Sequence, residues 1–597
     1  MNAVQQLLTD HIDIWTAAET EKKSGRGRAA GNAASVYGIK KLRELILDLA
    51  VRGKLVPQDA NDKSASELFT RIEAEKTKLI AEGRVKKNKP LSAISDDDQP
   101  FPLPLEWTWL RLEDLMPQFQ NGASSRGDVD GEAVVVLRLA DIKDRRIVLE
   151  DPRELLITPS LIGKYHLSKN DILIVRVNGS SDLVGGFIVC EGNFNGIYCD
   201  HFIRMKVPQN IMNSNFLGLI GSSGLIRNRI NDLFITTAGQ KTVNQGHISS
   251  LLVPVPSIAE QHRIVAKVDE LMALCDQLEA QHSDAADAHE QLVSHLLDTL
   301  TQSQSAADFN ANWQRIAAHF DTLFTTEASI EALKQTLLQL AVMGKLVAQD
   351  ANDEPASELL KRIEAKKAKL ISEGKIKKEK MLATISEDEK PFDLPANWEW
   401  VRLGKLVEKS GAGWSPSCEG HAREGDSWGV LKVSAVSWGK FLPNENKALP
   451  KTLEPRLDCV VESGDFLITR ANTDELVARS VVVENCPPNL MLSDKIVRLR
   501  LSLLCSNKFI NLVNLSPFSR NYYALAAGGT SSSMKNVTRE QILNLVAGTP
   551  PLAEQHRIVA KVDELMEFCD RLKSRITATN QQQKKLADVL VEHAVAG

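Results

Sequence analysis

The chain has 597 residues, enough for about four domains, and its 43% hydrophobic and 25% charged residues are ordinary for a globular protein. No apolar run approaches the ~18 residues needed to span a bilayer and no signal peptide opens the chain, so the sequence predicts a cytoplasmic protein without membrane contact. The net charge of −5 argues against a protein that binds nucleic acid unaided.

The first 38 residues predict one amphipathic helix and a flexible linker. Over residues 1–23 the apolar side chains, Trp15 among them, recur on one helical face. The stretch from Ser24 to Ser35 is small, basic and glycine-rich, as linkers are. A second helical pattern starts at Ile39 and ends at Gly53, a residue type that commonly terminates helices.

A long block of sequence then occurs twice. Residues Ile39–Asp62 return as Ile330–Asp353, an offset of 291, and the match continues to Pro100–Leu112 and Pro391–Leu403. Each repeat therefore covers nearly 300 residues, far more than one solenoid repeat. The sequence predicts a tandem duplication of a domain.

A second string, AEQHRIVAKVDELM, is identical at Ala259–Met272 and Ala553–Met566, an offset of 294. Apolar residues in both copies are spaced alternately by four and three positions, which is typical of a helix–helix seam. These seam residues are Ile264, Val268 and Leu271 in the first copy and Ile558, Val562 and Leu565 in the second. We expect two helices of about 40 residues, roughly 60 Å long, that act as rigid spacers. Two ordinary core helices are the simpler alternative.

Two dissimilar inserts, Glu113–Ile258 and Gly404–Leu552, lie between the repeated flanks. Both are rich in short β-branched runs broken by Gly, Asn and Pro, which predicts strands. Their net charges are −1 and +3. Both contain the spacing Asp-x4-Arg-x-Asn at the same offset of 294, so we expect one shared fold with different surfaces. The resulting class is α+β, with two strand-rich domains separated by long antiparallel helices.

The expected segments follow from these boundaries. They are 1–38, an N-terminal helix and linker; 39–112, the first copy of the helical block; 113–258, the first strand-rich domain; 259–345, central helices; 346–403, the second copy of the block; 404–552, the second strand-rich domain; and 553–597, the C-terminal helix.

Candidate DNA-contacting residues occur in both inserts. Arginine and asparagine make bidentate contacts that distinguish guanine from adenine, and polar, glycine-bearing loops present lysine and amides to phosphates. The candidates are Arg176, Asn178, Lys241 and Asn244 in the first insert and Arg470, Asn472, Lys535 and Asn536 in the second. The alternative is that these arginines form structural ion pairs and these loops are ordinary turns, because residues shared by two different surfaces are often framework.

The sequence contains no recognisable catalytic constellation. The glycine-rich and (N/D)PP(Y/F) motifs of adenine methyltransferases and the phosphate-binding loop of ATPases are absent. Cys190, Cys199 and His201 lack the pairing typical of zinc ligands, so no metal site is predicted. The basic pairs at Lys86–Lys87 and Lys377–Lys378 fit solvated surface.

The flanking motifs resemble those of one known family. The xxLPxxWxWxRL openings, the GD-x-L-x-x-R-x-N strands and the PLAEQHRIVAKVDELM string are similar to specificity subunits of type I restriction–modification enzymes, in the branch with larger subunits. The likeness covers nearly the whole chain. One departure is Asn170 before Asp171, where the second insert has the usual Gly464, and this puts the local turn in doubt.

The resemblance implies a non-catalytic role in reading DNA. Each insert would be a target-recognition domain for one half of a split, asymmetric double-stranded site. The two seams would pack the helices or dock two methyltransferase subunits, and restriction subunits would join them. S-adenosylmethionine, ATP and Mg²⁺ would then bind partner subunits and not this chain. Basic surfaces of those partners would supply the positive charge for DNA binding that this chain, at a net charge of −5, lacks.

Two other classes of function stay open at this point. One is a two-headed scaffold whose inserts bind protein or glycan partners. The other is a self-contained DNA-modifying enzyme, against which the missing cofactor motifs argue.

Overall fold

The computed structural model describes residues 10–17, 36–62, 65–82, 94–124, 127, 131–143, 145–237, 239–303, 306–377, 382–437, 439–531 and 534–596. The chain forms two compact units, unit 1 from residues 1–285 and 579–597 and unit 2 from residues 286–578. The predicted linker Ser24–Ser35 and the lysines Lys86, Lys87 and Lys378 lie outside the described residues.

The helices agree with the sequence pattern, and both predicted long helices are confirmed. Up to the first long helix they are α1 (Ile12–Ala17), α2 (Tyr37–Val51), α3 (Ala65–Ala81), α4 (Pro159–Tyr165), α5 (Ser214–Ser222), α6 (Gly224–Leu233), α7 (Gln245–Ser249) and α8 (Ile258–Thr301). The rest are α9 (Ala306–Ala318), α10 (Phe320–Leu323), α11 (Glu327–Val342), α12 (Ala356–Ser372), α13 (Leu403–Leu406), α14 (Asn507–Leu515), α15 (Pro517–Ala526), α16 (Arg539–Asn544) and α17 (Leu552–Ala596). With 44 and 45 residues, α8 and α17 are each about 65 Å long.

The first strand-rich domain contains fifteen described strands, counting β1 of the flank before the insert. They are β1 (Thr108–Arg111), β2 (Gln118–Asn121), β3 (Glu132–Leu137), β4 (Ile142–Lys143), β5 (Arg146–Ile147), β6 (Glu154–Ile157), β7 (His166–Leu167), β8 (Ile172–Val175), β9 (Val177–Asn178), β10 (Phe187–Val189), β11 (Phe194–Tyr198), β12 (Phe202–Lys206), β13 (Ile235–Thr237), β14 (Gln240–Thr242) and β15 (Leu252–Val255). They pair in the orders β10-β8-β12-β2, β6-β3-β11-β7, β13-β14-β9, β4-β5 and β1-β15.

The second strand-rich domain, counting β16 of the flank before its insert, has twelve described strands in a similar arrangement. Its strands are β16 (Glu399–Arg402), β17 (Val407–Ala412), β18 (Gly429–Leu431), β19 (Asn446–Ala448), β20 (Phe466–Thr469), β21 (Ala471–Asn472), β22 (Ser480–Val482), β23 (Leu490–Met491), β24 (Ile496–Leu501), β25 (Gly528–Ser531), β26 (Met534–Asn536) and β27 (Val546–Thr549). The orders β22-β20-β24-β17, β19-β18-β23, β25-β26-β21 and β16-β27 correspond to those of the first domain, except that β7 and the β4-β5 pair have no counterpart among the described strands. The predicted shared fold and the α+β class with two strand-rich domains are confirmed.

The repeated flanks close each strand-rich domain. Strand β1 pairs antiparallel with β15, placing Trp109 opposite Pro254, and β16 pairs with β27 in the same way, placing Trp400 opposite Gly548. The first and last strands of each strand-rich domain therefore pair just before the next long helix begins.

The predicted seam residues are largely buried in these cores. Ile264, Val268 and Leu271 are at most 3% exposed and belong to the core of unit 1, which also contains Ala587 from the end of α17. In unit 2, Ile558 and Val562 are buried in one core cluster, and Leu565 is partly buried against a second cluster that contains Cys569. These side chains stabilise the cores and leave little surface for a partner, so docking through them stays a prediction.

Each long helix starts at a set of contacts that we call the flank contacts. In unit 1 the Glu260 carboxylate accepts hydrogen bonds from Trp107 Nε1 (3.1 Å) and Gln58 Nε2 (2.6 Å), and Arg263 pairs with Asp62 at 2.6 Å. Glu260 is 1% exposed, so its two donors replace the water lost on folding. These contacts fix the helix start against the repeated block.

The flank contacts of unit 2 have the same geometry. Glu554 accepts from Trp398 Nε1 at 3.1 Å and from Gln349 Nε2 at 2.6 Å, and Arg557 pairs with Asp353 at 2.6 Å. The identical AEQHR strings are thus explained by identical buried polar contacts.

The last turn of each long helix accepts a hydrogen bond from a lysine of a repeated block. Lys54 Nζ donates to the Val595 carbonyl at 3.2 Å in unit 1, and Lys345 Nζ donates to the Thr301 carbonyl at 2.8 Å in unit 2. A cation at this position satisfies a helix-terminal carbonyl and complements the helix dipole.

The turn that was in doubt at Asn170 is intact. Asn170 has φ +70° and Gly464 has φ +89°, the left-handed conformation that glycine adopts freely and asparagine tolerates. The backbone N–H groups of Asp171 and Asp465 donate to Ser168 and Glu462, both at 3.1 Å. The departure from the family motif therefore leaves the turn unchanged.

Candidate nucleic-acid interface

In each domain an asparagine and a lysine among the predicted DNA-contacting residues lie on one small three-stranded sheet. In the first domain β9 pairs with β14, so that Asn178 lies opposite Lys241. In the second domain β21 pairs with β26, so that Asn472 lies opposite Lys535. The loops that the sequence marked as polar and glycine-bearing are the hairpins β13–β14 and β25–β26. Both sheets place an asparagine and a lysine side by side.

The two arginines occupy equivalent backbone positions. The N–H of Arg176 donates to the His201 carbonyl and that of Arg470 to the Lys495 carbonyl, both at 2.7 Å, and both arginine carbonyls accept from the hairpin strand at 2.9 Å. The Arg470 side chain is exposed, whereas Arg176 is half-buried with Nη1 3.4 Å from the Asp200 carbonyl. The shared backbone is framework, and the side chains above it differ.

The lysines are anchored to their own loops while staying at the surface. Lys241 Nζ donates to the Gly179 carbonyl at 3.1 Å and lies 5.5 Å from the Phe234 ring centroid. Lys535 Nζ is 3.4 Å from the Gly529 carbonyl and 3.7 Å from the Asp474 carboxylate. These contacts hold a positive charge beside each Arg-x-Asn strand.

Asn244 and Asn536 do not occupy equivalent positions. Asn244 caps helix α7, its side chain accepting from the His247 N–H at 2.9 Å, and the residue in its place in the second domain is Thr538, which caps α16. Asn536 lies within β26 with an exposed side chain. Contact of either asparagine with DNA stays a prediction.

Among the described ion pairs, the aspartates before the Arg-x-Asn strands pair with other cations and not with Arg176 or Arg470. Asp465 is buried, accepts from the Glu462 N–H at 2.9 Å and pairs with Arg498 at 3.2 Å. Asp171, also buried, accepts from the Ser168 N–H at 3.0 Å and lies 3.4 Å from Lys206. These aspartates hold the turn before each Arg-x-Asn strand, and direct base reading by Arg176, Asn178, Arg470 and Asn472 stays a prediction.

Sequence reasoning missed an arginine that supports each Arg-x-Asn strand from a helix. Arg227 of α6 donates to the carbonyls of Ser181 and Val184, both at 2.8 Å, and Arg520 of α15 is 3.4 Å from the Glu475 carbonyl. The signal was present in the sequence, because both arginines precede an asparagine at a nearly constant offset of 293. A match of two residues is too short to identify from the sequence alone.

Three possible metal ligands meet in the first domain. Among the described residues, the potential ligand atoms of Cys199, Asp200 and His201 lie within 4.8 Å of one another. Burial raises the pKa of the Cys199 thiol, which opposes the thiolate that a metal requires. The third residue considered from sequence, Cys190, is buried and its pKa is raised to about 12. The second domain has Ser493 and Lys495 in place of the cysteine and histidine, and the absence of a metal site stays a prediction.

No helix within the described ranges is long and apolar enough to cross a bilayer.

Residues 158–286 match the protein family described as the type I restriction modification DNA specificity domain. The chain is 42% identical to the type I restriction enzyme EcoEI specificity subunit of Escherichia coli, over 99% of this chain and all of that protein. It is 36% identical to the EcoAI specificity subunit of Escherichia coli over the same shares. A chain from a structure titled as the basis of complex assembly and conformational transition of the type I R-M system aligns with 83% of this chain and 99% of its own length, at 18% identity and a TM-score of 0.49.

Proposed function

The chain belongs to the specificity subunits of type I restriction–modification enzymes, and from this premise we propose that its two strand-rich domains each read one half of a split double-stranded DNA site. The observation that carries the proposal is the paired sheet of Asn178 with Lys241 and of Asn472 with Lys535. The same backbone positions arginine, asparagine and lysine in both domains, while the surrounding side chains differ. Two unlike surfaces on one framework suit an asymmetric target.

We further propose partners and a cellular location for this subunit. Two methyltransferase subunits dock on surfaces of the repeated helices, and restriction subunits join the complex through them. S-adenosylmethionine, ATP and Mg²⁺ bind to those partners, and this subunit itself is non-catalytic. All eight cysteines are free thiols, which supports the reducing cytoplasm as its location. The alternative of a scaffold for protein or glycan partners has no support from the relatives.

The test is an exchange of one domain at a time in the complete methyltransferase complex. Replacing Glu113–Ile258 with the insert of another family member keeps the flank contacts and is expected to change one half of the methylated site only. The matched control replaces Gly404–Leu552 and is expected to change the other half only. Methylation mapping by long-read sequencing measures both. A change in both halves, or in neither, after a single exchange would refute the proposal.

A further inference from the structure

A short acidic loop follows the Arg-x-Asn strand of the second domain, and we call residues 473–477 the strand-end loop. Asp474 and Glu475 are both exposed on it, whereas residues 179–181 at the same place in the first domain are Gly-Ser-Ser. DNA phosphates repel carboxylates, so acids are unexpected on a surface that contacts only the DNA backbone. Their position beside the asparagine–lysine pair needs a different explanation.

The two acids differ in their partners. The Asp474 carboxylate lies 3.7 Å from Lys535 Nζ, so its charge is balanced within the domain. The Glu475 carboxylate has no ion pair and no hydrogen bond within the part of the chain that the structure describes. Water solvates it in the free protein, and a duplex that covers the loop removes this water. Glu475 then needs a hydrogen-bond donor on the DNA.

The backbone of Glu475 is held by two arginines. Arg479 Nε donates to the Glu475 carbonyl at 3.1 Å, and Arg520 Nη2 of α15 lies 3.4 Å from the same oxygen. At the same place in the first domain, Arg227 alone bonds the Ser181 carbonyl among the described contacts. The acidic loop therefore has an additional cation that fixes the backbone of its glutamate.

Other contacts fix the rest of the strand-end loop. The Thr473 N–H donates to Asn472 Oδ1 at 2.9 Å, and the Thr473 carbonyl accepts from the Val477 N–H, also at 2.9 Å. The Leu476 carbonyl accepts from Oγ1 of the buried Thr469 at 2.9 Å. A loop that is already ordered loses little entropy when it binds. The Glu475 side chain therefore projects from a preformed support.

We propose that Glu475 accepts a hydrogen bond from the amino group of a cytosine and so specifies one G·C pair in the half-site that the second domain reads. A carboxylate only accepts hydrogen bonds. In the major groove guanine and thymine present acceptors, and adenine has the acceptor N7 beside its amino group, whereas cytosine offers N4–H₂. The inference rests on the proposed function and assigns base reading to a residue outside the Arg-x-Asn strand.

The test compares the full chain and its Glu475→Ala variant, each in complex with the methyltransferase subunits, by long-read methylation mapping. We expect a fixed G·C pair in the half of the wild-type motif that changes when Gly404–Leu552 is exchanged. Glu475→Ala should accept any base pair at that position and leave the other half unchanged. Affinity for a duplex with the wild-type motif should fall about tenfold, the effect of one lost base contact.

Affinity for an unrelated duplex of the same length separates base reading from a structural effect. It should stay equal or increase in Glu475→Ala, because a negative charge near the phosphates is removed. The melting temperature should not change, since the Glu475 carboxylate has no described partner in the protein.

Three further variants sharpen the test. In Glu475→Gln the amide both accepts and donates, as a bidentate adenine contact requires, so the motif should come to include A·T at that position. Arg479→Gln should weaken the G·C preference less than Glu475→Ala, because Arg520 still holds the carbonyl. Glu484→Gln is the matched control. It removes the same charge from a glutamate of this domain that is 65% exposed and lies 2.6 Å from Lys508, and it should keep the wild-type motif and affinity.

The outcomes are distinguishable. A bipartite wild-type motif without a fixed G·C pair in that half, or an unchanged motif in Glu475→Ala, would overturn the cytosine contact alone. Equal weakening on the specific and the unrelated duplex would also overturn it, because the loss would then not depend on sequence. A wild-type complex that methylated all sequences alike would refute the proposed function and the cytosine contact together.

Discussion

In both units a tryptophan and a glutamine donate hydrogen bonds to one buried glutamate, and the two copies agree within 0.1 Å in each distance. The loops that follow the two Arg-x-Asn strands are also duplicated, but Arg227 bonds two carbonyls of its loop whereas Arg520 bonds one. This contrast indicates that the two copies have stayed alike where a buried polar group needs all of its hydrogen-bond partners. It has diverged where the surface meets solvent, since few contacts fix a side chain there.

The largest effect should come from removing the buried tryptophans. Trp107→Ala and Trp398→Ala each leave a cavity and one unsatisfied glutamate oxygen, and each should lower the stability of its own unit by about 3–5 kcal/mol. Hydrogen exchange read separately in the two units measures the loss. Trp414→Ala is the control, because this tryptophan is only half-buried and stacks on Arg456 at the surface. Markedly unequal losses of stability in Trp107→Ala and Trp398→Ala would show that the two copies of the flank contacts are not equivalent.

A smaller effect should follow from replacing the glutamates. In Glu260→Gln and Glu554→Gln an amide N–H₂ faces a tryptophan or glutamine donor, so one hydrogen bond of the flank contacts is lost. We expect about 1–3 kcal/mol in each unit near neutral pH. Urea unfolding followed by hydrogen exchange in each unit tests this. A neutral result in one copy alone would mean that the two contacts differ in energy despite equal distances.

The same glutamates give the units a pH dependence. Burial raises the pKa of Glu260 and of Glu554, and hydrogen bonds from Gln58 and Gln349 oppose the shift. Because the folded pKa lies above the ordinary value, the folded state binds the proton more tightly. Stability is therefore highest below the unfolded pKa near 4.5 and falls as pH rises through the raised folded value. The Glu→Gln variants should lack this decline when melting is compared across that range.

The smallest effect should be found at the turn before each Arg-x-Asn strand. Exchanging the two residues, by Asn170→Gly and Gly464→Asn, should change stability by only about 0.5 kcal/mol, since both residue types tolerate positive φ. Gly464→Val should cost about 1–2 kcal/mol or more, because a β-branched residue is disfavoured there. Differential scanning calorimetry resolves the two cases. A large loss in Gly464→Asn would show that the turns are less alike than their angles.

The helical frame and the shared fold of the inserts were predictable because their signals are long. Fourteen identical residues with regular apolar spacing define a helix, and two strand-rich inserts between matching flanks define a duplicated domain. The Arg-x-Asn strand was found because its spacing to Asp171 and Asp465 is the same in both copies. These features depend on local periodicity, which sequence records directly.

The remaining parts of the interface depend on contacts between distant segments. Asn244 and Asn536 both come after a polar loop, and the sequence does not show that only Asn536 lies within a hairpin strand. Arg227 escaped notice because the two loop carbonyls that it bonds are 43 and 46 residues away along the chain, so no spacing rule connects them.

Unit 1 is assembled from two separate stretches of the chain, and this affects the order in which the two units can fold. Unit 2 is one continuous stretch, residues 286–578, whereas unit 1 requires residues 579–597, which include Ala587 of its core and the Val595 carbonyl that accepts from Lys54. During synthesis these residues leave the ribosome after the whole of unit 2. The unit that is translated first is therefore completed after the other one, and a ribosome that stops near residue 578 releases a chain with its second unit whole and its first unit open.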